Sequence, residues 1–387
     1  MLGILVDKNL INIFSLVYPM QFITNAIKSL FGIGANISSI RDKNENSVFS
    51  GIVLGITIGA IIFGTIIFNI EKYIEFMNMD VKTYKIFAIY AIIQIFLQLI
   101  LNLSLSKMYF ENKNKRANKY SILFNLINFS TLILMSILTK NQIIISSISI
   151  ICTFIFVIIM LIRVVDKKKF RINIISCIKY DSVNLFASIS MFIIYLFGFK
   201  NAFDFGDKFA LAISFATLIT DTQWDIAHSI ATIAQIDIAK REYSNKIHLS
   251  NSYKLITLLV LSSLIMGVIL YPIYNVDILI TLIIAINELI CLCFYPLYIT
   301  RLIYIQLEHS AVKATLIKQI ANILRTLCSF IISPFCTSIG LTVSVLYQLI
   351  STKYIIVKNK LNMEMLDKKY SVINSPLLND EDHIELL

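Results

Sequence analysis

The sequence predicts an all-α, polytopic integral membrane protein, and three observations lead to that class. The 387-residue chain is 57% hydrophobic and 15% charged, whereas soluble domains are roughly 45–50% apolar and about 25% charged. Its mean hydropathy is +0.77. Apolar runs close to the roughly 20 residues that a spanning helix needs fill nearly the whole chain. Soluble enzymes and disordered or collagen-like chains are therefore excluded.

About eleven transmembrane helices are predicted from apolar runs bounded by charged gaps. They lie near residues 10–35, 48–69, 84–106, 120–138, 142–162, 180–198, 209–239, 255–271, 278–300, 314–333 and 338–356. The run at 209–239 contains the polar stretch Asp-Thr-Gln-Trp-Asp. Either half of that run is too short to span alone, so we expect one long helix.

The basic residues of the gaps predict the orientation. When the gaps are assigned alternately to two sides, one side takes 24 Lys and Arg residues and the other takes 7. The richer side is expected to be cytoplasmic, together with the C-terminus. The net charge of +10 then reflects membrane topology, so we expect a multi-pass protein of the plasma membrane, in contact with lipid, with no nucleic acid partner.

An internal repeat suggests two related lobes. A shift of 200 residues aligns three polar positions of the first helix with three of the seventh: Gln21 with Asp221, Asn25 with Asp225, and Lys28 with His228. In each helix these positions follow the i, i+4, i+7 pattern of one face. Because this shift places one whole set of helices on another in the same order, it predicts a parallel repeat, as in some secondary transporters.

The repeat also predicts the domain boundaries. They are an N-terminal lobe of five helices at 1–164, a cytoplasmic linker at 165–179, a C-terminal lobe of six helices at 180–357 and a cytoplasmic tail at 358–387. The helix at 180–198 has no counterpart in the first lobe, and the orientation places the N-terminus outside without an export signal. We therefore expect that a first helix is missing upstream, leaving a lipid-facing groove beside the helix at 10–35.

Local sequence adds a resemblance to a known family. The segment at 31–44 reads Phe-Gly-Ile-Gly-Ala-Asn-Ile-Ser-Ser-Ile-Arg-Asp-Lys-Asn, closes one helix and leads at once into the next. This segment resembles the end of the second helix in the MATE (multidrug and toxic compound extrusion) family of the multidrug/oligosaccharidyl-lipid/polysaccharide exporter superfamily. The resemblance extends to segments 3–6 and 15–19, to the basic loop at 107–119 and to the linker at 163–179.

The resemblance implies a function. It implies a two-lobed antiporter that exports small, cationic or amphipathic molecules by alternating access, driven by a Na⁺ or H⁺ gradient. No cofactor beyond that ion, and a monomeric state, are expected. The sequence departs from the family in the helix at 180–198, where the one acid is Asp181 at the cytoplasmic mouth.

Ionisable groups at membrane depth are the main candidates for a binding site, because burying them costs about 2.5–3.5 kcal/mol. Asp221, Asp225 and His228 share one helix face. Lys28, with Gln21 and Asn25, lies on the equivalent face of the first lobe. If both faces line a central cavity, Lys28 is expected to pair with Asp225, and His228 to titrate near neutral pH. The alternative is a water-exposed stripe at the outer interface, marked by Trp224.

Glu288 and Arg325 form a second candidate. They lie at similar depths on adjacent antiparallel helices, so the two side chains are expected to meet. A fixed pair would be structural, and a pair opened by a substrate cation or a proton would be a switch. We favour the structural interpretation, and so expect Asp225 to matter more for transport than Glu288.

Two stripes are expected to hold helices together. The first consists of amides, Gln94, Gln98 and Asn102, which are expected to face Asn125 and Asn128. The second consists of glycines that permit close helix packing, Gly51, Gly55, Gly59 and Gly64.

Two other functions stay open. A lipid-linked oligosaccharide flippase of the same superfamily would need a cavity rich in Lys and Arg. A membrane-embedded enzyme would need a convergent set of acid, base or metal ligands. The sequence shows no His-x-x-x-His motif, so we predict no catalytic and no metal-binding residues. A homologue that has lost transport is the remaining alternative.

Overall fold

A computed structural model describes residues 11–41, 46–110, 113–139, 141–164, 170–240, 243–274, 276–361 and 363. These residues are almost entirely helical, and no strand occurs among them. The all-α prediction is therefore confirmed. The chain divides into two compact units, Met1–Ala210 and Leu211–Leu387.

The first unit contains the helices up to α8, and nearly all of them coincide with predicted apolar runs. Their bounds are α1 Ile11–Ile27, α2 Ala35–Arg41, α3 Asn46–Phe68, α4 Ile70–Phe76, α5 Val81–Phe110, α6 Asn114–Thr139, α7 Gln142–Val164 and α8 Ile174–Asp204. A π-helical segment, Lys28–Gly34, joins α1 to α2 without a break. The short helix α4 was not predicted, because it has few residues and an amphipathic sequence.

The second unit begins at Leu211, just after the first turn of α9, and contains the remaining helices. Their bounds are α9 Asp207–Lys240, α10 Asn245–Tyr274, α11 Ile278–Tyr304, α12 Ala311–Ser329 and α13 Cys336–Lys358. A π-helical segment, Ile305–His309, extends α11. The long, unbroken α9 agrees with the single helix predicted across its polar stretch.

Among the described residues, eight helices are long and apolar enough to cross a membrane: α3, α5, α6, α7, α8, α10, α11 and α13. Helix α1 is too short on its own at 17 residues and contains Pro19. Helices α9 and α12 carry too many polar or charged residues. The polytopic membrane class is thus confirmed, while the count of eleven spanning helices stays a prediction.

Helix α8 packs within the first unit, although the sequence places it in the C-terminal lobe. Its aromatic side chains lie against those of α1. The rings of Phe22 and Tyr195 stack with centroids 5.2 Å apart and 3° between their planes. Tyr18 meets Tyr195 edge to face at 4.8 Å, and Phe14 meets Phe199 at 6.4 Å.

Two further contacts fix the ends of α8. At one end, Gly34 lets the backbones approach, because a Cβ atom there would lie 2.6 Å from the Cys177 carbonyl oxygen. At the other end, Asn78 donates a hydrogen bond to Asp204, and Lys200 pairs with the same carboxylate at 2.5 Å.

These contacts place α8 with the first unit. The units divide at Ala210, whereas the sequence places the linker at 165–179. The predicted lobe boundaries, and the lipid-facing groove beside the helix at 10–35, stay predictions.

Helix α4 supports α1 where proline interrupts it. Pro19 lacks the amide hydrogen that would bond the carbonyl four residues earlier. The Tyr73 hydroxyl of α4 donates a hydrogen bond to the neighbouring Leu16 carbonyl at 2.7 Å. Burial raises the pKa of Tyr73, which keeps the phenol protonated and able to donate.

The glycine stripe of α3 packs as predicted at three of its four positions. An added Cβ would lie 2.4 Å from the Phe31 carbonyl oxygen at Gly51, and under 3 Å from leucine side chains of α5 at Gly55 and Gly59. At Gly64 it would meet nothing within 4 Å. The prediction is wrong for Gly64, which lies off this packed face.

The amide stripe of α5 has a different partner from the one predicted. Gln94 donates to the Thr153 hydroxyl at 2.8 Å, and Asn128 of α6 accepts from Ser149 at 2.9 Å. Both partners belong to α7. Helix α7 therefore links α5 and α6, and the expected direct contact between their amides is wrong for Gln94 and Asn128.

Candidate functional site

A carboxylate lies within the second unit, on the apolar helix α11. The Thr220 hydroxyl of α9 donates a hydrogen bond to Glu288 Oε2. Thr220 is buried, with 2% of its surface exposed. Among the described side chains, the charged groups that interact electrostatically with Glu288 are Arg325 of α12 and Asp221 of α9. Three helices thus contribute to one polar cluster, hereafter the Glu288 cluster, which consists of Thr220, Asp221, Glu288 and Arg325.

The hydroxyl of Thr220 has two acceptors. Besides Glu288, the Ala216 carbonyl one turn earlier lies 3.1 Å from Thr220 Oγ1. A hydroxyl carries one hydrogen and two acceptor lone pairs. It can therefore donate to either group, and can accept from a protonated carboxyl while donating to the carbonyl.

The Glu288 cluster concentrates ionisable groups on membrane helices. Two carboxylates, Asp221 and Glu288, are accompanied by one guanidinium, that of Arg325. Ionisable side chains at membrane depth are costly and commonly mark ion or proton pathways. The cluster is therefore a candidate site for a cation or a proton.

A second polar network fixes α11 beside the cluster. Asn287 donates to the Ser338 carbonyl of α13 at 3.1 Å, and its side-chain oxygen accepts from Thr342 at 2.8 Å. Cys291 lies 3.8 Å from the same threonine hydroxyl. Because Asn287 precedes Glu288, these bonds restrain the backbone that carries the carboxylate.

Helix α12 is held equally closely. A Cβ atom at Gly340 of α13 would lie 3.0 Å from the Arg325 carbonyl oxygen and 3.2 Å from its Cγ. The absence of a side chain at Gly340 therefore allows α13 to contact α12 at the level of Arg325. This contact fixes the backbone of α12 at Arg325 relative to α13.

Trp224 is half-buried and packs against a neighbouring helix. It is near the middle of α9, and its ring meets Tyr295 of α11 edge to face at 5.6 Å. One residue earlier, Gln223 accepts a hydrogen bond from Ser262 of α10 at 3.2 Å. The indole therefore packs against α11, and the interpretation of Trp224 as an interfacial belt residue stays open.

The structure brings some predicted site residues together. Asp221 and Arg325 both influence Glu288 electrostatically, and the direct pairing of Glu288 with Arg325 stays a prediction. The side chains of Asp225 and His228 lie outside the described part of the chain. Their pairing with the first lobe therefore stays a prediction.

The candidates of the first unit lie on or next to α1. Gln21 and Asn25 are exposed on this unit, one turn apart. Lys28 is half-buried and opens the π-helical segment. Such π-bulges are frequent at functional sites, so Lys28 remains a candidate on this unit.

Three residues that build the site were not predicted: Thr220, Asn287 and Thr342. Hydroxyl residues are common in membrane helices, where they often bond their own backbone, so they give a weak signal. The adjacent polar pair Asn287-Glu288 within an apolar run was the available indication. No group of three or more His, Cys, Asp or Glu side chains suited to a metal occurs among the described residues.

Comparison with known proteins identifies solved structures of similar fold. No protein-family model matches the sequence, and no curated protein matches it. A solved structure titled as an inward-facing multidrug resistance MATE family transporter of the MOP superfamily matches with a TM-score of 0.61 and 13% identity, over 95% of this chain and 94% of that one.

Two other solved structures are similar. The lipid II flippase MurJ, in an inward closed conformation, matches with a TM-score of 0.62 and 18% identity, over 98% of this chain and 88% of that one. A MOP superfamily transporter from Pyrococcus furiosus matches with a TM-score of 0.51 and 13% identity, over 95% and 88% of the two chains. The chain therefore has the fold of these membrane transporters, which confirms the resemblance seen in the sequence.

Proposed function

We propose that the protein is a secondary active transporter that exports small cationic or amphipathic molecules in exchange for H⁺ or Na⁺, by alternating access. The observation that carries the proposal is the Glu288 cluster, in which a membrane-embedded carboxylate with a hydroxyl donor is flanked by an acid and a base. Intramembrane carboxylates commonly mark ion or proton pathways. The fold shared with transporters supports the same class.

The coupling ion would bind at the Glu288 carboxylate of this cluster. A proton or Na⁺ bound there would neutralise the carboxylate next to Thr220. A ligand that binds one conformation more tightly shifts the population towards it. Ion binding at Glu288 would therefore favour one state of the transport cycle.

The hydrogen bonds of Thr220 favour a proton as that ion. With Glu288 ionised, Thr220 donates to the carboxylate. With Glu288 protonated, the carboxyl would donate to Thr220, and Thr220 would donate to the Ala216 carbonyl 3.1 Å away. Every hydrogen has an acceptor in both states, so protonation leaves no unsatisfied hydroxyl in the membrane.

A liposome assay tests the proposal. Purified protein would be reconstituted, and entry or exit of ethidium, used as a probe cation, would be followed with an imposed H⁺ gradient, with an imposed Na⁺ gradient, and with neither. We expect the H⁺ gradient to drive accumulation and an ionophore that dissipates it to stop accumulation. Equal ethidium movement in protein-free liposomes, or no response to either gradient, would contradict the proposal.

A second candidate is flipping of a lipid-linked polyanion. It is favoured by the match to the lipid II flippase over 98% of this chain, and by Lys28, a half-buried base on the first unit. Translocation of a fluorescent lipid pyrophosphate without a response to ethidium would support this candidate over the first. In that case Lys28→Gln should impair flipping more than Glu288→Gln does.

The finer assignments belong to the same proposal. The distribution of basic residues supports a cytoplasmic C-terminus, and a monomer in the plasma membrane is part of the same proposal. A transporter needs no catalytic residue or resident cofactor, so we assign none. Loss of ethidium and lipid transport together in well-folded protein would instead favour an inactive homologue.

A further inference from the structure

A groove at one end of the second unit combines basic side chains with apolar walls. It measures about 350 Å³ and lies between α10, α11 and α13. Its lining includes Asn245, Leu249, Leu297, Thr300, Arg301 and Lys353. This groove involves none of the residues of the Glu288 cluster, so the inference does not depend on the proposed transport function.

The polar lining of the groove consists mainly of donors. Neither Arg301 nor Lys353 forms an ion pair within the described part of the chain, and no carboxylate among the described residues lines the groove. The Asn245 side-chain oxygen accepts from Tyr243 at 2.9 Å, which leaves its amide hydrogens to donate. Donors without acceptors suit an anion, and in particular a phosphate group.

A polar atom lies at the floor of the groove. Thr300 is 1% exposed, and its hydroxyl oxygen makes no hydrogen bond with the described residues. Such hydroxyls in membrane helices usually bond the carbonyl one turn earlier. An oxygen of a bound ligand would satisfy this hydroxyl.

The remaining lining is apolar and continues towards the lipid-facing surface. Leu249 and Leu297 form part of the wall, and Val357 at the end of α13 is 66% exposed. A ligand that fills the groove would therefore carry hydrocarbon next to its anionic group. An anionic phospholipid has both parts, whereas an inorganic anion or a sugar phosphate has one.

The groove also lies at the membrane side where anionic lipids and basic residues meet. Its bases lie near the C-terminal ends of α11 and α13, and the distribution of charges assigns both of these ends to the cytoplasmic side. Basic pockets between transmembrane helices on that side bind acidic headgroups. We propose that this groove binds one anionic phospholipid, with the phosphate between Arg301 and Lys353 and an acyl chain along Leu249 and Leu297.

Native mass spectrometry of the purified full chain tests this proposal. Phosphatidylglycerol, phosphatidylcholine and glycerol 3-phosphate would be titrated separately. We expect one tightly bound phosphatidylglycerol per protein. Its binding to R301Q/K353Q should be weaker, on the order of tenfold, because each base adds to the attraction for an anionic headgroup. The charge-matched control K115Q/K119Q, which changes exposed bases of the first unit, should bind like the unaltered protein.

A conservative variant separates binding from folding. R301K/K353R should keep the phosphatidylglycerol bound, and all variants should show the same melting temperature without lipid. Equal binding by R301Q/K353Q and the control would overturn the proposal. Equal affinity for phosphatidylcholine would exclude headgroup selection, and equal affinity for glycerol 3-phosphate would exclude a lipid.

The acidic C-terminal tail is the competing occupant. Asp380, Glu381 and Asp382 lie in the same chain, about 20 residues beyond the groove. If phosphatidylglycerol binds only after D380N/E381Q/D382N, the native occupant is the tail and the lipid assignment is wrong. We expect the same affinity with the acidic and the neutralised tail.

Discussion

The Thr220 hydroxyl of α9 donates a hydrogen bond to the Glu288 carboxylate of α11. This bond connects two helices of one unit at a half-buried carboxylate. It gives Glu288 a donor when ionised and an acceptor when protonated, because the Ala216 carbonyl lies within reach of the same hydroxyl. The Thr220 hydroxyl can therefore form a hydrogen bond with Glu288 in either protonation state.

Removing the hydroxyl of Thr220 should slow transport. Thr220→Val keeps the shape but leaves Glu288 without this donor, and a hydrogen bond to a charged group contributes about 1.5–3 kcal/mol. We expect gradient-driven ethidium transport to fall about tenfold or more. Thr220→Ser, which keeps the hydroxyl, is the matched control and should stay within about twofold. Equal rates for the two variants would show that the hydrogen bond has no part in transport.

Glycine substitutions in α3 should separate packed from unpacked positions. At Gly51 an added methyl group would lie 2.4 Å from the Phe31 carbonyl oxygen, and such overpacking costs about 1–3 kcal/mol. Gly51→Ala should therefore lower the melting temperature in detergent. Gly64→Ala meets nothing within 4 Å and should leave it unchanged or raise it, since Ala favours a helix. The reverse order would contradict the packing of α3.

The stacked rings of Phe22 and Tyr195 should be energetically coupled. Aromatic pairs contribute about 0.5–1.5 kcal/mol beyond their buried area. A double-mutant cycle of Phe22→Ala and Tyr195→Ala, measured by unfolding, should give a coupling energy in that range. The control cycle pairs Phe22→Ala with Phe154→Ala, an exposed ring of α7, and should be additive. An additive result for the stacked pair would show that α8 does not pack on α1 as described.

The orientation can be measured directly. A reporter that is active only outside the cell, fused after Leu387, should give no signal, because 24 of the basic residues in the gaps lie on the side of the C-terminus and 7 on the other. The same reporter inserted at Asn141, in a gap predicted to be external, should be active. A signal from the first fusion and none from the second would reverse the orientation.

Hydrophobic runs and charged gaps were sufficient to predict the class and the position of nearly every long helix. Membrane helices are selected for length and apolarity, and both are visible in one sequence. The contacts of helix α8, by contrast, could not be predicted from hydrophobic runs. Its order in the chain suggests the C-terminal lobe, but the stacking of Tyr195 on Phe22 is a contact between residues far apart in the sequence.

The candidate site was partly predictable for a similar reason. Charges in apolar helices are conspicuous, so Asp221, Glu288 and Arg325 could be identified before any contact was known. Thr220 could not, because its role depends on the rotation of α9 relative to α11. The expectation that Asp225 matters more than Glu288 for transport rests on the sequence alone. The proposed function instead assigns coupling to Glu288, because the Thr220 hydroxyl bonds its carboxylate and Asp221 and Arg325 influence it electrostatically.

The most direct test of the proposed function compares Glu288→Gln with the unaltered protein in liposomes. The control is Glu75→Gln, which changes an exposed acid of α4. Ethidium transport would be followed with and without an imposed H⁺ or Na⁺ gradient, at matched amounts of folded protein. We predict that Glu288→Gln still equilibrates ethidium but no longer accumulates it in response to a gradient, while the control behaves like the unaltered protein. Unchanged gradient-driven accumulation by Glu288→Gln would contradict the assignment of Glu288 as the coupling site.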